Sequence, residues 1–64
     1  MQNNIKTLRK AKVLRQQDMA NALGVTRQTI IAIENNKYSP SLELAIKIAR
    51  LLGKPVEEIF ILAN

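Results

Sequence analysis

Five carboxylates, those of Asp18, Glu34, Glu43, Glu57 and Glu58, are the only acidic groups with which this chain could do general acid or base chemistry. None has its usual helpers, because the 64 residues include no Cys and no His. Without Cys there is no disulfide, no thiolate zinc site and no thiol nucleophile. Without His the commonest general base and the commonest metal ligand are missing. Catalysis is therefore not expected, nor is a metal or a cofactor. The chemistry the chain does carry is cationic. Ten Lys and Arg against five acids leave a net charge of +5, which points to a polyanionic partner. The excess is uneven: Lys6, Arg9, Lys10, Lys12, Arg15, Arg27 and Lys37 face only Asp18 and Glu34 in residues 1–37. From residue 38 onward Lys47, Arg50 and Lys54 cancel Glu43, Glu57 and Glu58, so a working face is expected in the first part of the chain.

The elements that must hold those charges are helical. Apolar residues make up 47 % of the chain, enough for a core, and they recur three and four apart without strict alternation over any useful length. A first helix is expected from about Asn4 to Lys12 with Ile5 and Leu8 inward. A second runs from Gln16 to Leu23 with Met19, Ala20 and Leu23 inward. Gly24 can close it in the left-handed conformation at little cost. Thr26 is the N-cap of a third helix, which buries Ile30 and Ile33 and ends at Asn35 or Asn36. After a linker over residues 36–40, Ser41 caps a fourth helix from Leu42 to Leu52, ended by Gly53. Pro55 opens a short fifth helix, with Glu57 and Glu58 near its positive end. No apolar run approaches the roughly 20 residues that span a bilayer, and the N-terminus has no signal-like apolar region. The chain is expected to be cytoplasmic and to form one domain over residues 1–64.

Residues 16–35 carry the most specific spacing. Two helices are separated by a turn at Gly24, and Ala20 lies four residues before it, where a small side chain lets the helices cross closely. Met19, Leu23, Val25, Ile30 and Ile33 supply the buried side. Generic helical hairpins share such periodicity, but a small residue, a turn Gly and a capped second helix in this register rarely occur together.

This stretch resembles the helix-turn-helix of the XRE family, the Cro and phage-repressor-like DNA-binding domains. The similarity covers nearly the whole chain: residues 5–9 (IKTLR), 14–20 (LRQQDMA), 23–30 (LGVTRQTI), 33–37 (IENNK), 40–42 (PSL) and 57–60 (EEIF). It implies an all-α, compact five-helix lambda-repressor-like domain whose third helix lies in the major groove of double-stranded DNA. Position by position, it implies that Thr26, Arg27, Gln28 and Thr29 begin the recognition helix. Gln28 is the leading reader, since an amide can both donate to and accept from adenine. Arg27 could read guanine or hold a phosphate. Gln16 matches the family's Gln at the start of the second helix, suited to a phosphate oxygen. Asn36 and Lys37 match the loop that clamps phosphate after the recognition helix, and Lys10, Arg15 and Thr26 complete the expected backbone contacts. Ile31 neighbours the readers and either touches a thymine methyl or is a partly covered surface residue.

The resemblance also implies that Arg9 and Glu34 form a structural ion pair linking the first helix to the third. Two positions depart from the pattern. Val13 stands where the family usually has Gly, and Arg15 stands where it usually has a Thr, Ser or Asn cap. Asp18 is placed to compensate at the second helix's N-terminus, or Arg15 has become a phosphate contact.

The fourth helix is apolar at eight of its eleven positions, an arc of about 220° where one core needs roughly 100°. Leu44, Ile48 and Leu51 on its flank, with Phe60, Ile61 and Leu62, could form a two-fold interface. The alternative is that the fifth helix and tail cover that flank within one chain. Short family members are usually dimeric repressors, so the expected function is a homodimeric, sequence-specific regulator on an inverted-repeat operator. An antitoxin-like or anti-regulator interaction module, with DNA binding secondary, is the alternative.

Overall fold

Helices begin where a side chain can satisfy the first free amide protons and end where the backbone can turn left-handed. The computed structural model describes residues 1–62 and runs β1 (Gln2–Asn3), α1 (Ile5–Ala11), α2 (Gln16–Leu23), α3 (Arg27–Glu34), α4 (Leu42–Leu52), α5 (Val56–Ile59) and β2 (Phe60–Ile61). Thr26 Oγ1 accepts the Thr29 N–H at 3.2 Å to open α3, and Ser41 Oγ accepts the Leu44 N–H at 3.2 Å to open α4. Pro55 lies just before α5, a single turn, and not inside it.

Four helices close on a residue with positive φ: Val13 (58°) after α1, Gly24 (72°) after α2, Asn36 (61°) after α3 and Gly53 (71°) after α4. In each case the next amide reaches back five residues: Leu14 to the Arg9 carbonyl, Val25 to Ala20, Lys37 to Ala32 and Lys54 to Ala49, at 2.9–3.2 Å. The family Gly that Val13 replaces is thus a conformational requirement, and a β-branched residue meets it under strain.

The core is built from Ile5, Met19, Ala20, Leu23, Ile30, Ile33, Ala45, Ile48, Leu52, Ile59 and Phe60. Ala20 is fully buried where α2 crosses α3, as its small size requires. A two-stranded antiparallel sheet, with Gln2 opposite Ile61 and Asn3 opposite Phe60, was beyond the reach of periodicity because each strand has only two residues. Around it, Asn4 N–H donates to the Ile59 carbonyl at 2.9 Å. Asn3 Nδ2 donates to the Ile33 carbonyl at 2.8 Å and to Asn36 Oδ1 at 3.0 Å, tying β1 to the C-terminal end of α3.

The expected two-fold patch needs correction. Ile48 is 0 % and Phe60 8 % exposed, so both belong to the core of a single chain. Leu44 and Leu51 are half-buried against that core. The reason lies in the packing: α5 and α2 both lie against α4, so this flank joins the buried cluster of the single chain. The apolar arc emerges instead on the other flank, at Leu42 and Ile46, and beyond β2 at Leu62. No helix among the described residues is long and apolar enough to cross a membrane.

Candidate nucleic-acid interface

At about 100° per residue, burying Ile30 and Ile33 turns Gln28 directly away from the core. Arg27 and Gln28 are exposed, and Ile31 and Ala32 lie half-covered on the same face one turn further on. Thr29 is oriented otherwise: its hydroxyl is 3.0 Å from that of Thr26. The Thr26 hydroxyl already accepts the helix-opening N–H, so one proton of the two hydroxyls remains free.

Beside this face, Lys6, Arg9, Arg15, Gln16, Gln17 and Arg27 line an open cleft of about 530 Å³ between α1, the start of α2 and the start of α3. Its back wall is a buried network. Arg9 Nε donates to Glu34 Oε2 at 2.7 Å and Arg9 Nη2 to Glu34 Oε1 at 3.3 Å, with side chains 7 % and 3 % exposed. Arg9 Nη1 donates to the Leu14 carbonyl at 2.8 Å, fastening the α1–α2 loop. Gln16 Nε2 donates to Glu34 Oε1 at 3.2 Å, which fixes the amide and leaves its second N–H free. Arg9 is thus compensated by Glu34, and the positive charge open to a ligand comes from Lys6 and Arg27, with Arg15 lining the cleft as the partner of Asp18.

The mouth of the cleft is held by Arg15 and Asp18. Arg15 Nε and Nη2 donate to Asp18 Oδ2 and Oδ1 at 3.0 and 2.9 Å, and the Arg15 backbone N–H donates to Oδ2 at 2.9 Å. The Arg15 guanidinium bond, then its backbone N–H, hold the Asp18 carboxyl at about 2, below the usual carboxylate range. The same side-chain bond pushes Arg15 upward. A guanidinium cannot accept, so Asp18 performs only the returning half of a capping box. This is how α2 begins without a Ser, Thr or Asn cap.

Of the residues expected at phosphate, Arg15 and Gln16 meet in the cleft, joined there by Arg27, which was expected at a base or a phosphate. Lys10, Thr26, Asn36 and Lys37 do not line it. Asn36 is engaged with Asn3 at the far end of α3. Lys6 and Gln17 line the cleft without having been expected there. For Lys6 the signal was available, since it precedes Arg9 by three residues and so shares its helix face.

A helix-turn-helix family model matches residues 5–59 of the chain. An uncharacterized HTH-type transcriptional regulator of Methanocaldococcus jannaschii is 56 % identical over 61 residues, covering 95 % of this chain and 92 % of that protein. Another from Methanothermobacter thermautotrophicus is 54 % identical over 63 residues, covering 97 % and 91 %. The cryptic phage CTXphi transcriptional repressor RstR of Vibrio cholerae is 37 % identical over 57 residues, covering 89 % of this chain and 51 % of that repressor.

Proposed function

The chain belongs to the helix-turn-helix family of DNA-binding transcription regulators, and from that premise we propose that it is a repressor that binds an inverted-repeat operator as a homodimer. The observation that carries this reading is the adjacency of the exposed Arg27 and Gln28 at the start of α3 to the cation-lined cleft. With α3 in the major groove, Gln28 reads a base edge while Arg27 serves either a base or the backbone. A phosphate in the cleft meets Lys6, Arg15 and the free N–H of Gln16. Arg9 and Glu34 hold the wall rigid behind it. Ile31 and Ala32, on the same face as Gln28, are placed to meet thymine methyls.

One chain of this size presents one α3, and a single helix reads few base pairs. Two copies with recognition helices about 34–36 Å apart would read both halves of a palindrome. The repressor assignment draws on the likeness to the phage repressor. Selection of bound sequences from a random duplex pool tests the reading: an inverted repeat with half-sites about one helical turn apart is expected. Recovery of sequences without a shared motif would overturn it.

A further inference from the structure

The cation at the N-terminus of α2 carries its own counter-charge. Arg15 stands at the cap position, and Nε and Nη2 of its guanidinium donate to the two oxygens of Asp18 at 3.0 and 2.9 Å. Asp18 Oδ2 also accepts the Arg15 backbone N–H at 2.9 Å. The guanidinium is therefore held by its bonds to the carboxylate alone, whereas the carboxylate is held by the backbone as well. Were the long Arg15 side chain to swing toward a ligand, Asp18 would stay where it is, fixed by that N–H and favoured by the positive end of α2. Its carboxyl, held at about 2, stays ionised at every near-neutral pH.

The Arg15 side chain is 83 % exposed and that of Asp18 33 %. Such a pair adds little to stability, but both charges act on a ligand in the cleft that Arg15 lines, because they lie well inside a Debye length of about 10 Å at 0.1 M salt. Two of the five guanidinium N–H bonds point at Asp18, and three remain. Arg15 can still donate a hydrogen bond to a phosphate, yet its positive charge is already matched. Lys6 and Arg27 line the same cleft and have no ion-pair partner among the described residues.

We infer that Asp18 limits the affinity of the chain for DNA, acting through Arg15: it withholds the charge of Arg15 from the phosphate backbone, so that Lys6 and Arg27 supply the net charge of the cleft. The inference rests on the reading of the cleft as a phosphate site and specifies which of its cations count. Counterion release depends on the phosphates a protein neutralises, so the Arg15–Asp18 unit adds nothing to the salt dependence of binding while Asp18 is charged.

Salt titrations of duplex binding by the whole chain, read by fluorescence anisotropy, test it. Asp18→Asn removes the charge and keeps an oxygen for the backbone N–H. It should steepen the log–log salt slope by roughly 0.9, the value of one phosphate contact, which counted from 1 M salt raises affinity roughly eightfold at 0.1 M on selected and random duplex alike. Arg15→Gln should leave the parent slope unchanged, and in that background Asp18→Asn should no longer steepen it. The Arg15→Gln arm keeps the Asp18 carboxylate at the helix start, so it gives a result even where Asp18→Asn unfolds the chain. A slope unmoved by Asp18→Asn, or flattened by about 0.9 by Arg15→Gln, means that Arg15 already delivers its charge and overturns the inference. Equal steepening by Asp18→Asn with and without Arg15 assigns the effect to direct repulsion of the backbone and overturns the route through Arg15. Lys6→Ala separates these failures from that of the larger reading: if neither it nor any Arg15 or Asp18 variant moves the slope, the cleft holds no phosphate and both fall.

Discussion

Val13 holds a left-handed backbone, φ 58°, at a position where the other helices of the domain use Gly24, Asn36 and Gly53. The perturbation is Val13→Gly. For an L residue the left-handed region costs roughly 1–2 kcal/mol, with β-branched side chains at the upper end. Glycine removes that strain but loses more backbone freedom on folding, roughly 0.5–1 kcal/mol. The side chain contributes little against this, because Val13 is 88 % exposed and buries almost no apolar surface. The net expectation is a stabilisation of about 1 kcal/mol, which for a domain of this size raises the melting temperature by roughly 4–8 °C. Urea unfolding should move the midpoint to higher denaturant with an unchanged m-value, since the folded surface is the same. The hydrogen bonds from Val13 N–H to the Lys10 carbonyl and from Leu14 N–H to the Arg9 carbonyl are backbone bonds and survive the change. The reverse experiment has the same origin. A Cβ at Gly24 would meet nothing within 4 Å, so Gly24→Ala is free of clashes and should cost about 1 kcal/mol through φ alone. A Val13→Gly protein no more stable than its parent would refute the claim that this loop stores strain.

Removing one partner of the buried Arg9–Glu34 pair leaves the other uncompensated, so Glu34→Ala should cost about 3–5 kcal/mol. A thermal melt within a degree or two of the parent would contradict this. Asp18, held at about 2 by Arg15, has a depressed folded pKa. Its contribution to stability is therefore full above the unfolded value of roughly 4 and is lost as pH falls through about 2. A carboxyl NMR titration should show that midpoint, and Arg15→Ala should raise it toward the usual range without reaching it, because the backbone N–H of residue 15 still donates to the carboxylate. Lys6→Ala should weaken binding to every duplex alike and flatten the salt dependence by roughly 0.9 in log–log slope, as loss of one phosphate contact does. An unchanged slope removes Lys6 from the backbone contacts. Gln28→Ala should relax preference at one base pair per half-site by about 1–3 kcal/mol, and equal losses on selected and random duplex would refute its role as a reader.

What could be seen in the sequence depends on how far apart the deciding residues lie. The boundaries of α2 and α4 are set by local chemistry, Gly24 after Leu23 and Ser41 before Leu42, and such signals survive without knowledge of the rest of the fold. The face of α3 follows from Ile30 and Ile33 in the same way. The two-residue strands do not, because no period can be read from two positions and their pairing joins residues near opposite ends of the chain. The wrong flank of α4 has the same cause. Eight apolar positions in eleven say that more than one neighbour covers the helix, but which neighbour takes which side depends on the angle at which α2 crosses it. The cleft combines both kinds of information. Gln16 and Arg27 are placed by the motif, whereas Lys6 shares the helix face of Arg9 and reaches the cleft through the Arg9–Glu34 pair that joins α1 to α3. The buried pair therefore does more than hold two helices together. By neutralising Arg9 and fixing the Gln16 amide on Glu34, it decides which charges of the basic segment remain available at the surface.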